Sequence, residues 1–212
     1  MKVQVTTFVN GRWKQNCYVV FSENGEAIVI DPGSQADELI ALIDNNRWRV
    51  CAILNTHGHF DHIGAVAPVQ KRYSAPFYLH KCDEKLMQRA NLYRMVFEAE
   101  DAVQIPTVTQ DISALPHDFE AGSFRIEWMA TPGHTEGSVC FRIGDNLFSG
   151  DTLMQNAIGR TDLPGGNREN LIASVKKLSL LPGEVVVYGG HGQPTTIAAE
   201  FAPDAKVRGL LR

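Results

Sequence analysis

The sequence predicts an α+β fold of four layers, two β-sheets packed face to face with helices on their outer sides. Three observations lead there. Short apolar runs of strand character end at tight turns, and helical patterns stand between them. A β-rich first half with helices is followed by a second half of the same kind. No linker, low-complexity tract or strict repeat separates the halves, so residues 1–212 are read as one domain. With 44% hydrophobic and 21% charged residues, a chain of 212 can bury a sizeable core.

Residues 3–8 and 17–21 are expected strands, with Asn10-Gly11 as the reversal between them. Asn24-Gly25 makes the next turn, residues 27–30 form a continuous apolar strand, and Asp31-Pro32-Gly33 breaks it. Ser34, with Asp37 three residues on, is placed to cap a helix whose apolar face is Leu39, Ile40, Leu42 and Ile43. Residues 50–54 are a short buried strand running into Asn55-Thr56-His57. Residues 63–73 are expected to be helical, with Pro68 the awkward member, followed by a strand at 77–79 and a helix at 83–93. Residues 98–120, with prolines at 106 and 116, are read as irregular and as partly covering the mouth of a site. Strands resume at 124–129, 138–143 and 147–149. Asn167 caps a helix that runs to 180 and stops at Pro182-Gly183; residues 185–188 are the last buried strand, followed by Gly189-Gly190-His191.

Several function classes are set aside. The net charge is -4 and no basic cluster exceeds two neighbours, as at Lys71-Arg72 and Lys176-Lys177, which argues against nucleic acid. No run approaches the roughly 18 apolar residues of a membrane span, and the N-terminus has no apolar signal region. Cys17, Cys51, Cys82 and Cys140 lie far apart with no C-x-x-C pair, so reduced thiols and a cytoplasmic location are expected, with Cys17, Cys51 and Cys140 buried in strands.

The chemistry is concentrated in His57-Gly58-His59-Phe60-Asp61-His62. Three of the seven histidines fall in one six-residue window with an aspartate. An apolar strand delivers the chain to Thr56, and Gly58 permits a sharp turn. Residues i and i+2 of an extended segment point the same way, so His57 and His59 can share one metal. Asp61 and His62, at the start of a helix, can face a second. Imidazole and carboxylate suit zinc, iron or manganese. His134, Asp151 and His191 each follow a strand and each has a glycine beside it, which places them to complete the ligand set.

T-H-G-H-F-D-H, T-P-G-H-T, F-S-G-D-T and G-G-H-G resemble the metal motifs of the metallo-β-lactamase fold superfamily, from about Asn16 to His191. The resemblance implies an αββα sandwich with the site at one edge. It implies that His57, His59 and His134 hold a first divalent ion, that Asp61, His62 and His191 hold a second, and that Asp151 bridges them. Zinc is the leading expectation, with iron or manganese as alternatives. Such a pair would activate a bridging hydroxide for attack on an acyl carbonyl, with Asp151 fixing the spacing and Asp61 orienting the nucleophile. Thr56 and Thr135 are expected to support the ligands from behind.

An aspartate at 151, where well-known dinuclear lactamases carry cysteine, resembles the glyoxalase II group, as do Asn16-Cys17-Tyr18 and Asp31-Pro32-Gly33. Only about twenty residues follow His191, which matches the short bacterial glyoxalase II-like proteins rather than the longer type with its helical C-terminal domain. The implied reaction is hydrolysis of S-2-hydroxyacylglutathione or a similar small-molecule thioester, with no nucleic acid or membrane partner and no oligomeric state implied. The loop Gly159-Arg160-Thr161-Asp162 is shared in style with persulfide dioxygenases of the same fold. In those, a single iron would fall to His57, His134 and Asp151. Lactone, phosphodiester or other ester hydrolysis are further alternatives, and a non-catalytic relative would be expected to have lost ligands, none of which is lost here. Arg160 can clamp a substrate carboxylate or pair structurally with Asp162.

Other candidates are declined. His80 and His117 lack a glycine-rich strand-end context, and His80 is read as a cap or surface residue. Tyr93, Met95 and Tyr188 are read as packing, and Trp13, Trp48 and Trp128 as core or interface.

Overall fold

A computed structural model describes residues 3–97 and 102–211. Its first sheet runs in sequence order: β1 (Val3–Asn10), β2 (Gln15–Ser22), β3 (Glu26–Ile30), β4 (Arg49–Leu54), β5 (Phe77–Leu79) and β6 (Gln110–Asp111). β1 to β3 form an antiparallel meander, and β3 to β6 are parallel. Parallel neighbours need crossovers. These are α1 (Ala36–Asn45), then α2 (Phe60–Ile63) with α3 (Val66–Tyr73), then α4 (Glu84–Gln88) with α5 (Ala90–Phe97). The second sheet is β7 (Asp118–Ala121), β8 (Phe124–Ala130), β9 (Val139–Ile143), β10 (Asn146–Gly150), β11 (Val186–Gly189) and β12 (Thr195–Thr196). Only β10 and β11 are parallel there, joined through α6 (Arg168–Leu178); α7 (Ile197–Glu200) and α8 (Lys206–Leu210) close the chain's described part.

The layers follow from side-chain alternation along strands buried on both faces. Cys17, Val19, Ala27, Val29, Ile53, Phe77 and Leu79 face the helices of the first half. Their neighbours Tyr18, Val20, Ile28, Ile30, Ala52, Leu54 and Tyr78 face the other sheet, where they meet Phe124, Ile126, Phe141 and Phe148. Cys140, Leu147 and Val187 turn outward to Leu171, Val175 and Leu178 of α6. Three apolar layers between four structural ones make the expected α+β sandwich.

Several local expectations are corrected. Ser34 does not cap α1: the helix starts after Gln35, which is left-handed at φ 54 and makes no side-chain cap. The Ser34 amide is instead held by Asn10 Oδ1 at 2.6 Å. The helix expected at 63–73 is two helices, and Pro68 is the third residue of α3, where no amide donor is needed. The helix at 83–93 breaks at Arg89 between α4 and α5. Residues 98–101 of the stretch expected to cover a site lie outside the described residues. Its remainder supplies β6 and β7 and packs Val103, Ile105 and Val108 on the first-half core. Met95 is 74% exposed and Trp13 44% exposed, so neither is core; Cys51 is only partly buried. Trp48 stacks on Phe21, while Trp128 is buried and donates to the Pro116 carbonyl. Among the described residues all four cysteines are free, and no helix is long and apolar enough to cross a membrane.

Glu26, at the start of β3, ties the sheets together away from the site. Its carboxylate accepts the Ser123 amide of the β7–β8 turn at 2.7 Å and pairs with Arg49. Hydrogen bonds from Ser123, against the cost of burial and with help from Asn24 and Arg49, hold its carboxyl down from 4.5 to about 2. A depressed folded value stabilises the fold above the unfolded value and loses that contribution as pH falls. Glu26→Gln should therefore lower the urea midpoint at pH 7, and the gap from wild type should close between pH 4.5 and about 2.

Candidate metal centre

Strands from both sheets end at one edge, and each end carries a polar residue into it. Asp31 follows β3, Thr56 to His59 follow β4, His134 follows β8, Asp151 follows β10, and His191 follows β11. Backbone bonds lock these ends together: Asn16 N to Gly190 O at 2.8 Å, Gly190 N to Gly150 O at 2.7 Å, and Val139 N to Thr56 O at 2.8 Å.

The seven residues singled out in the sequence converge. His57, His59 and His134 form one group whose ligand atoms all lie within 4.8 Å of one another; Asp61, His62 and His191 form another. Asp151 lies between them. Its Oδ2 is 3.4 Å from His134 Nε2, while Oδ1 is 3.5 Å from His62 Nε2 and 3.7 Å from His191 Nε2. Asp31, His57 and His62 make a third such grouping. Asp31, however, already accepts the Thr56 amide at 2.7 Å and hydroxyl at 2.6 Å and faces His62 Nδ1 at 3.1 Å.

The outer nitrogen of each of four imidazoles meets an oxygen. His134 Nδ1 is 2.8 Å from the Arg160 carbonyl, and His191 Nδ1 is 3.0 Å from the Trp13 carbonyl. Carbonyls only accept, so these nitrogens donate. Thr56 Oγ1 gives its proton to Asp31 and can accept from His57 Nδ1 at 3.0 Å. His62 Nδ1 faces the Asp31 carboxylate. Each Nε2 lone pair is thereby directed to the centre, the arrangement that metal-binding histidines adopt. His59 Nδ1 and His134 Nε2 face each other at 2.8 Å.

The donor set fits divalent cations. His57 Nε2, His62 Nε2 and Asp151 Oδ1 are buried with no hydrogen-bond partner, a concentration of orphaned atoms that coordination would satisfy; His59 Nε2 also has none, but His59 turns its Nδ1, not this atom, toward His134 Nε2. Burial, then the neighbouring imidazoles, holds His57 well below its ordinary range and His59 at about 3, so both stay neutral. Burial opposes charge on Asp61 and Asp151, but His62 and His191 outweigh it at Asp61, and His62 and His134 at Asp151; both carboxyls are lowered. At His62 and His191 burial is outweighed by Asp61, with Asp31 or Asp151 adding, and both are raised.

The cleft above holds about 130 Å³ and is lined by Trp13, Phe60, Phe97 and Leu163 around the polar floor. Phe60 and Phe97 stack with ring centroids 6.1 Å apart. These residues, not 102–120, wall the mouth. Arg160 also lines it, but its guanidinium makes two bonds to Asp162, at 2.7 and 2.8 Å. His80 caps the turn that follows β5, and His117 lies against Trp128. Asp31 went unnoticed as a support; its signal was an aspartate in a sharp break after a fully apolar strand.

Comparison with known proteins gives the family and the fold. The model of the metallo-beta-lactamase superfamily matches residues 10–191. Hydroxyacylglutathione hydrolase GloC of Haemophilus influenzae is 31% identical over 93% of this chain and 92% of its own. The crystal structure of BLEG-1 B3 metallo-beta-lactamase superposes with a TM-score of 0.90 at 34% identity, covering 96% of this chain and 99% of that one. TTHA1623, solved in a di-iron-bound form, gives 0.84 at 36% identity, covering 93% and 98%.

A Cβ on Gly190 would stand 2.2 Å from Asp151 Oδ1 and 2.7 Å from His62 Cε1. Gly190→Ala should leave the fold intact by circular dichroism yet lower metal affinity by about tenfold or more, as judged by competition with a chelating dye.

Proposed function

The chain belongs to the metallo-beta-lactamase superfamily, and from that premise we propose that it is a dinuclear metallo-hydrolase that cleaves small thioesters, S-2-hydroxyacylglutathione or a close analogue. The observation that carries the reading is Asp151, whose two oxygens face the two histidine groups separately. His57, His59 and His134 would hold one ion, Asp61, His62 and His191 the other, and Asp151 would bridge. Zinc suits these ligands, and the di-iron form of TTHA1623 makes iron the alternative. Bound there, divalent ions acidify water and polarise a carbonyl.

The chain's own groups do the rest. Trp13, Phe60, Phe97 and Leu163 offer the substrate an apolar wall that excludes water around the scissile bond. Asp61 lines the same cleft as an ionised carboxylate and would orient the attacking water as well as help hold the second ion. Arg160 is held by Asp162, so a substrate carboxylate would have to compete for it. Free thiols throughout the described residues fit a cytoplasmic setting.

The GloC relative supports the thioester. The likeness to BLEG-1 makes β-lactam opening the second reading. Single-iron persulfide oxidation would engage only His57, His134 and Asp151, leaving the grouping of Asp61, His62 and His191 without a task.

Metal analysis should find two ions per chain, with cleavage of S-lactoylglutathione far faster than of nitrocefin and no oxygen uptake with glutathione persulfide. One iron per chain with oxygen uptake and no thioester cleavage would overturn the proposal. Asp61→Ala and His62→Ala should each lower kcat/KM by more than about 100-fold, beyond the loss typical of an outer support. Because the ion-free pKa values of His62 and His191 are raised, metal uptake at pH 7 should release protons, and apparent affinity should weaken as pH falls. Calorimetry in buffers of different ionisation enthalpy reads both.

A further inference from the structure

We propose that Asp83, which touches neither candidate ion nor the cleft floor, is the positioning residue that sets the first histidine group, His57, His59 and His134, independently of the second. This rests on the two-metal reading above. Asp83 ends the short turn after β5 and is 1% exposed. Its carboxylate gathers three donors from two loops that come from different sheets. Oδ2 accepts the Gly58 amide at 2.9 Å and the Thr135 hydroxyl at 2.7 Å; Oδ1 accepts the Gly137 amide at 2.8 Å. Gly58 stands between His57 and His59, and Thr135 follows His134. One side chain thus clamps all three histidines of that group through their backbones.

The approach is close enough to dictate residue type on both loops. A Cβ on Gly58 would lie 2.8 Å from the Asp83 carbonyl, and one on Gly137 would lie 2.7 Å from Asp83 Oδ1. The three donors all need an acceptor, which a carboxylate alone among side chains of this size supplies on both oxygens. An asparagine would turn an N–H toward at least one of these donors.

The second group is held by other means. His62 faces Asp31, and His191 faces the Trp13 carbonyl. Loss of the Asp83 clamp should therefore let the 57–59 and 134–137 loops drift apart, opening the first group and sparing the second.

Cobalt(II) titration of the full chain, followed by visible absorption, tests this with two backgrounds. His191→Ala leaves the first group intact, and His59→Ala leaves the second. Asp83→Asn should weaken cobalt binding by about 10- to 100-fold in the His191→Ala protein and by less than about threefold in the His59→Ala protein. Equal losses in both would overturn selective positioning, as would no loss in either. If wild-type chain takes up no cobalt, the two-metal reading falls and this inference with it. Should Asp83→Asn fail to fold, Thr135→Val removes one of the three donors and must show the same asymmetry at about a tenfold effect, or the proposal fails.

Discussion

Two sheets that meet over an apolar interior leave little room for charge, yet seven imidazole and carboxylate side chains are carried into its edge. Burial of that kind is tolerated only when each group has a partner of matching character. Four histidines meet the demand in the same way, with one nitrogen on an oxygen behind and the other facing the centre. The oxygens differ in origin: a threonine hydroxyl, an aspartate, and two backbone carbonyls. Each can be supplied only if the strand ends stop at fixed heights, so the register of both sheets and the site are one constraint.

That constraint explains what could be read in the sequence. The candidate ligand run 57–62 is contiguous, and its chemistry needs no tertiary information. His134, Asp151 and His191 are legible as candidates because strand, glycine and a ligand-type side chain recur in that order. The sandwich was legible as paired β-rich halves, but the facing of individual residues was not, since strands buried on both sides lose the polar alternation that marks a face. β6 and β12 are two residues each and exist only through their neighbours. Ser34 and Asp37 match a capping pattern, but Asn10 claims the Ser34 amide from a distant strand. Met95 shows that an apolar residue at helical spacing can face outward, here with Leu92 and Val96 on the exposed side of α5.

The supporting roles of Asp31 and Asp83 are fainter in the sequence for a different reason. Asp31 and Asp83 act mainly on backbone amides and hydroxyls 25 or more residues away, and such acceptors leave no spacing signature. A carboxylate is also better suited than an amide to the task. It presents only acceptors, so it can gather two or three donors without offering a donor that clashes, and in a low-dielectric interior each charge-assisted bond is stiff.

The loop from Gly159 to Leu163 joins the candidate metal centre to the cleft. The Arg160 carbonyl fixes His134, the Arg160 guanidinium is fixed by Asp162, and Leu163 forms part of the apolar wall. A side chain recruited to bind a substrate carboxylate would have to leave Asp162, and its backbone could not move far without turning the His134 ring. Any substrate recognition by Arg160 would therefore be coupled to the orientation of His134. Selectivity at this mouth is more freely adjusted at Trp13 and Phe97, although the Trp13 carbonyl holds His191 and leaves only its side chain free to change.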